Sequence, residues 1–522
     1  MATAKPQQHE VVDIAIIGAG VSGLGAAYYF SRAFPTKRIV VLEGRDDIGG
    51  TWDLFKYPGI RSDSDLHTYG WDFKPWRRRE AIAEGHLIRE YMHEAVDEFG
   101  LASMLRLGHK VTGASWSSDD ARWTLDVTQR DAEGKETTTA ITTRWVFGGT
   151  GYYNYEEGYT PDIPGLTDFG GDILHPQKWP EHYDSAGKRV VVVGSGATAI
   201  TMIPAMAYGP NPPAHITMLQ RTPTYIVSLP KVDKNALRLT ALLGIERGYW
   251  ATREKNMWRD YFTVKFMERF PNAARKLIRS LNVKDLPKGF DVDTHFNPPY
   301  APWDQRMCQS PDGDFFESIR DGYTSVVTDK ITRVTRTGIL LASGVELDAD
   351  VIVTATGLNL QMFGGISHTV DGRRIDVADT VTYRGMLTSE LPNWAISFGY
   401  TKSASWTMKV GMTSAYIIEL IKIMEANGFD SVVPVPDPHM PTEPLLDLNS
   451  GYANRGKHLL PQQGPELPWR MLTHVPADRK LLADRPTIDG NLRFARAQAV
   501  RPPVQSNGAQ PAKKSAAKTG VA

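Results

Sequence analysis

The sequence predicts an α/β protein built from two nested Rossmann-type dinucleotide-binding domains, the second inserted into the first, plus a helical insertion. Three observations predict it. A buried-strand pattern runs straight into Gly18-Ala19-Gly20-Val21-Ser22-Gly23 and a helical stretch. A second run does the same at Gly194-Ser195-Gly196-Ala197-Thr198-Ala199. Within the second unit, residues 234–288 break the alternation with a long helical, tryptophan-bearing segment.

Length and composition bound the rest. At 522 residues there is room for two or three domains and a large core. With 59 basic and 59 acidic residues, nothing in the overall charge argues for a nucleic-acid partner. No run approaches the roughly 18 apolar residues of a membrane helix, so no transmembrane segment is expected. The N-terminal MATAKPQQHEVVD lacks the apolar core of a signal peptide. Cys308 is the one cysteine, which excludes intrachain disulfides, cysteine-rich metal sites and C-x-x-C redox chemistry. A cytoplasmic setting and no bound metal are expected.

The first unit opens with VVDIAII, a short apolar run typical of a buried parallel strand. Gly18 serves the tight turn, Gly20 lets backbone approach a pyrophosphate, and Gly23 lets helix and strand pack closely. The pyrophosphate then meets free N–H groups at the helix start. The next strand, RIVVLE, ends at Glu43, twenty residues after Gly23. An acid there accepts from a ribose hydroxyl and repels a 2′-phosphate, which suits FAD or NAD and not NADP. Residues 81–100 read as a helix, and VTGASW with RWTLDVT as paired strands.

The second unit carries the opposite code. KRVVVV leads into Gly194 and Gly196, with Thr198 at the start of the helix and alanine in the last position of the motif. Its following strand, HITMLQ, ends at Arg221 and Thr222. A cation and a hydroxyl at that end suit a 2′-phosphate, so NADPH is expected here. Residues 234–288 hold 13 basic against 5 acidic residues. Solvated helix faces account for that excess, and peripheral membrane contact or substrate gating is the less favoured reading.

Between the two units lies Phe169-Gly170-Gly171-Asp172-Ile173-Leu174-His175-Pro176-Gln177-Lys178-Trp179-Pro180, which reads F-x-G-x-x-x-H-x-x-x-W-P. It resembles the fingerprint of the type I Baeyer–Villiger monooxygenases, flavoenzymes that insert an oxygen atom beside a carbonyl. The resemblance runs from about residue 11 to 490. It is closest to the ethionamide-activating branch, on WDLFKYPGIRSDSD, HPQKWPE and PWDQR. Gly50, Thr51 and Trp52 of the GGTW segment, and Arg61 and Asp63 of PG-x-R-x-D, then belong to an FAD site, with Asp63 as the active-site aspartate. A local Arg61–Asp63 ion pair is the alternative. Thr150-Gly151 and Ala355-Thr356-Gly357 resemble the two hinges where the chain leaves and re-enters the flavin domain.

The stretch HFNPPYAPWDQRMC resembles the one that carries the family's catalytic arginine, which falls on Arg306. The mechanism implied has NADPH reduce FAD, O₂ add to give a C4a-peroxyflavin, and the peroxide convert a ketone to an ester or lactone. Sulfoxidation is implied as a side activity. A peroxyanion beside a negative flavin needs a permanent cation, which arginine supplies. The family often has lysine before this arginine; Gln305 stands here, which leaves part of the NADPH selectivity open. His175 invites a general-base role, but the resemblance assigns the fingerprint to domain movement, with Phe169 and Trp179 anchoring by packing.

By the same resemblance Ser403, Ala404, Ser405 and Trp406 line the substrate pocket, although Trp406 reads equally as core. An amphipathic helix follows over about 407–426, and residues 449–468 resemble a mobile loop. The expected division is a first FAD part at 10–152 and an interdomain linker at 153–185. The NADPH domain follows at 186–355 with its insertion at 234–288, then the second FAD part at 356–495 and a disordered tail at 496–522. Two other functions share these cofactors. One is a flavin-containing monooxygenase oxidising soft nitrogen or sulfur, against which Trp179 argues. The other is an NADPH oxidase without organic substrate, against which Arg306 and the fingerprint argue.

Overall fold

In the computed structural model, which describes residues 9–131, 134–305, 307–446, 450–488 and 490–497, the first apolar run becomes the strand His9–Ile17. It pairs in parallel with Ile39–Leu42 on one side and Glu136–Gly148 on the other. All of Ile39–Leu42 is buried, as an uninterrupted branched run demands. Beyond Glu136–Gly148 the sheet continues antiparallel through Arg122–Arg130 and His109–Ser117. Much later chain completes it: Ser367–Val370 pairs with His109–Ser117, and Trp394–Ile396 with Glu136–Gly148. The first unit is thus assembled from both sides of the second, which is the nested arrangement expected.

The second sheet is wholly parallel, in the order Thr324–Thr328, His215–Gln220, Arg189–Val193, Val351–Thr354, Asp172–Leu174. Its last strand comes from the middle of the fingerprint. Asp172 lies opposite Val351 and Leu174 opposite Val353, so the 153–185 stretch does more than link. Three residues are too few to show a period, and Ile173 is exposed, so nothing local marks the strand.

The two crossings between the units lie side by side. Tyr153–Gly158, leaving the first unit, pairs antiparallel with Leu358–Leu360, returning to it. The Thr356 hydroxyl donates to Tyr159 O at 2.6 Å, and the Tyr159 N–H donates to Gly357 O at 3.2 Å.

The insertion forms three helices, Lys234–Leu243, Ile245–Arg269 and Pro271–Asp285. The middle one is held to the first unit by its inner face. Arg253, 3% exposed, donates to the carbonyls of His67, Thr68 and Gly70, at the end of the short helix Leu66–Tyr69. The guanidinium thereby meets the negative end of that helix. Its outer face is not solvated charge alone: Trp250, Trp258, Phe262, Phe266 and Phe270 are all exposed.

Thr407–Asn427, expected as amphipathic, is buried around most of its circumference. It is packed against both Val21–Ala33 and Val475–Ala483, two partners that the local pattern does not reveal. Gly428, at φ +67°, ends it in the left-handed conformation that releases a helix.

Candidate functional site

A single cleft of about 850 Å³ is lined by both glycine turns. From the first unit come Gly18, Gly20, Glu43, Gly50, Thr51, Trp52, Arg61 and Asp63, and from the second Gly196, Thr198 and Thr222. The turns are built alike. Gly18 takes φ +97° and Gly194 φ +131°; an added β-carbon would lie 2.8 Å from Gly149 O and 2.2 Å from Ala355 O respectively. Only glycine serves at such positions. Gly23 meets the turn from behind, where a β-carbon would come within 1.8 Å of Gly18 O.

The residues that open the two helices face free space. A β-carbon on Gly20 would find no heavy atom nearer than 3.6 Å, and one on Gly196 none within 4 Å. Gly20 and Gly196 are the N-caps of Val21–Ala33 and Ala197–Ala207, and neither helix start has a side-chain cap. First-turn N–H groups therefore point toward the cleft at both ends, which is the donor set a pyrophosphate takes. These residues fit two dinucleotides.

Glu43 is buried, and its carboxylate accepts from Ala19 N–H at 2.7 Å and Arg45 N–H at 3.0 Å. Burial pushes its pKa up against the pull of those two donors. It therefore braces the glycine turn as well as facing the cleft. Arg221, at the end of His215–Gln220, is exposed outside the cleft lining, beside Thr222 whose carbonyl accepts from Ser195 Oγ at 3.3 Å.

The loop after the first turn does not form the alternative local ion pair. Arg61 does not pair with Asp63; its guanidinium is bound to Asp314, at the head of the helix Asp314–Arg320. Asp314 in turn accepts from Ser310 Oγ at 2.8 Å. Arg61 thus spends its charge tying the first unit to the second. Asp63 is left exposed in the cleft wall. Arg306 lies outside the described residues, while Gln305 and Met307 line the cleft. Cys308 also lines it, with burial pushing its thiol up to about 12, so it stays a thiol at neutral pH and packs.

Of the four residues expected at the substrate pocket, Ala404 and Trp406 line the cleft and Ser403 and Ser405 do not. Ser405 Oγ is hydrogen-bonded to Thr68 Oγ1 at 2.8 Å, and Ser403 is fully buried beside His474. The chain bends here, with Ala404 at φ +71° and Trp406 already helical, and the bend turns the two serines inward. Trp406 stacks on Tyr152 at 5.4 Å between centroids, worth about 0.5–1.5 kcal/mol beyond area burial. Its indole N–H donates to Ser22 Oγ at 2.9 Å, next to the first glycine turn. Trp52 similarly donates to Tyr69 Oη at 2.6 Å. Tyr152, Tyr69 and Ser22 are partners that sequence reasoning missed. Only Tyr152 had a signal, since it directly follows Thr150-Gly151.

The fingerprint stands behind the cleft. Phe169 packs among Ile163, Val193, Leu219, Val334 and Ile352, and Trp179 against the core of the second sheet. At Gly171 a β-carbon would lie 2.2 Å from Asp350 O. His175 accepts from Gln177 N–H at 3.1 Å, and Gln177 Nε2 donates to Asn154 O on the outgoing crossing at 2.9 Å. Burial lowers the His175 pKa, keeping the ring neutral.

Comparison with known proteins agrees with this geometry. Residues 16–81 match an NAD(P)-binding Rossmann-like domain, and residues 80–228 a flavin-binding monooxygenase-like family. The chain is 45% identical over 491 residues to the FAD-containing monooxygenase EthA of Mycolicibacterium smegmatis, covering 94% of this chain and 98% of that one. It is 45% identical to the putative FAD-containing monooxygenase MymA of Mycobacterium tuberculosis, covering 93% and 98%. Among solved structures, steroid monooxygenase bound to NADP superposes with a TM-score of 0.73 at 20% identity, covering 93% and 100%. Cyclohexanone monooxygenase from Rhodococcus sp. Phi1 bound to NADP⁺ gives 0.72 at 22%, covering 94% and 100%. The last two likenesses are of fold.

Proposed function

Because the chain belongs to the FAD-containing monooxygenases, we propose that it oxidises ketones to esters or lactones with NADPH and O₂, with sulfoxidation as a side activity. The observation that carries this reading is one cleft lined by both glycine turns together with Asp63, Ala404 and Trp406. Bound FAD and NADPH supply the reducing electrons and the activation of O₂.

The chain's own residues bind, orient and exclude. The first turn, with Glu43, holds FAD; Gly194, Gly196 and Thr198, with Thr222 and Arg221, hold NADPH. The opposite charges of Glu43 and Arg221 sort the two dinucleotides. Arg306 supplies a fixed positive charge where negative charge develops, and Asp63 orients it. Gly50, Thr51 and Trp52 frame the flavin ring, while Ala404 and Trp406 bound the ketone. Arg61 holds the two units in register through Asp314.

Purified holo-protein given NADPH, O₂ and a simple linear ketone tests this. Ester formed in step with NADPH consumed supports the reading, and a sulfide should give sulfoxide more slowly. Hydrogen peroxide released in step with NADPH, with no effect of ketone or sulfide on the rate, identifies an oxidase and overturns it. Oxidation of amines and sulfides with no ester from any ketone identifies the soft-centre monooxygenase.

A further inference from the structure

The helical insertion gathers two properties that the rest of the surface lacks. Among the described residues, all the exposed tryptophans and phenylalanines lie on it: Trp250, Trp258, Phe262, Phe266 and Phe270. In a chain whose charges balance at 59 each, the same 55-residue segment carries 13 basic and 5 acidic residues.

Trp258, Phe262 and Phe266 follow one another at four-residue spacing, so they share one face of Ile245–Arg269. Trp258 and Phe262 stack at 5.7 Å, and Phe266 meets Phe270 at 5.7 Å, giving two aromatic pairs along that face. Leu277, on the next helix, is exposed as well. Arg269 lies over the Phe270 ring, Arg259 is exposed beside its partner Asp260, and Lys276 and Lys284 are exposed on the next helix. This face is not loose packing. Thr252, Asn256 and Met257 on the opposite side are fully buried, and Tyr249 Oη donates to Trp71 O at 2.8 Å. The helix is fixed from within and bare outside, and an apolar patch held in water that way marks a binding surface.

We infer that the outer face of this insertion docks on a lipid bilayer carrying anionic headgroups. Aromatic rings suit the boundary between headgroups and acyl chains, and flanking arginines and lysines suit anionic phosphate. No described helix is long and apolar enough to cross a membrane, so the contact is interfacial. A second copy of the chain is the poorer occupant, because a symmetric contact would set the two basic faces against each other.

The test is co-sedimentation of the full-length holo-protein with vesicles of phosphatidylcholine alone, or of phosphatidylcholine mixed equally with phosphatidylglycerol. Binding to the mixed vesicles should be about ten-fold tighter or more, and should weaken with added salt. The triple variant Trp258→Ser, Phe262→Ser, Phe266→Ser should lose about ten-fold or more in that binding. A second variant, Arg269→Glu with Lys276→Glu, should lose the preference for phosphatidylglycerol. Thermal midpoints like wild type's confirm that both variants fold. No binding to either vesicle overturns the proposal, as does undiminished binding by the triple variant. A concentration-dependent dimer abolished by the same three substitutions would assign the face to self-association.

Discussion

His175 lies flat against Gly158: a β-carbon on that glycine would sit 2.0 Å from the ring's Cε1 and 2.7 Å from Nδ1. Gly158 ends the outgoing crossing, opposite Leu358 of the returning one. The fingerprint histidine is therefore packed on the paired strands that join the two units, and any turning of one unit against the other is felt at this contact.

Gly158→Ala should push His175 off its seat. Overpacking of this kind costs about 1–3 kcal/mol, seen as a lower thermal midpoint. NADPH-driven turnover should fall while FAD content stays at wild type. Adding His175→Ala should restore much of the lost stability, and a double-mutant cycle measures how much. Strict additivity would mean that the two residues do not interact.

Glu43→Gln removes the charge that the Ala19 and Arg45 N–H groups bind. A ribose hydroxyl donating to that carboxylate makes a charge-assisted hydrogen bond of about 1.5–3 kcal/mol, so FAD affinity should weaken about ten- to a hundred-fold. Titration of apo-protein with FAD, followed by flavin fluorescence, reads it. Unaltered affinity would reduce Glu43 to a brace for the turn.

Arg221→Ala should raise KM for NADPH about ten-fold or more and leave KM for NADH nearly unchanged. Steady-state kinetics with both nucleotides separates the effects. Equal losses with both would place Arg221 elsewhere in the cycle.

Stability should fall on the acid side of neutrality, in part through His368. It is 1% exposed, between Phe363 and Trp394 at ring distances of 5.3 and 4.6 Å. Burial lowers its pKa from the ordinary 6.5 to about 4. Between those values the unfolded chain binds the proton and the folded one does not, so stability drops as pH falls through that window. The total is on the order of 3 kcal/mol. His368→Leu should flatten the difference between urea unfolding at pH 7 and pH 5. A residual slope remains from His474, which burial also holds to about 4. An unchanged slope in the variant would move the acid sensitivity to other groups.

Both dinucleotide turns were legible because their information is local: Gly18 to Gly23 and Gly194 to Ala199 each sit in a strand–turn–helix within about thirty residues. Glu43, which faces the cleft at its strand's end, was legible for the same reason, whereas Arg221 stands exposed outside the cleft lining. What escaped depends on chain far away. Arg61 finds Asp314 253 positions on, a partner that no local pattern names. Asp172–Leu174 becomes a strand only because Val351–Thr354 offers an edge. Ser403 and Ser405 turn inward to meet His474 and Thr68, and no spacing rule carries that. The exposed aromatic face escaped too, since the segment's basic excess read as solvated helix faces and no local pattern says which face of the helix the first unit covers.

The paired crossings give the second unit one doorway. Chain enters it along Tyr153–Gly158 and leaves along Leu358–Leu360, with Leu360 opposite Tyr153, so the ends lie one strand spacing apart, about 4.8 Å. A module with its termini that close is a cassette. A few residues would close the gap it leaves in the host sheet, and a similarly short bridge would join its own ends. Insertion of such a cassette into an ancestral flavin-binding chain requires no rearrangement of either sheet, and swapping it between relatives should preserve both.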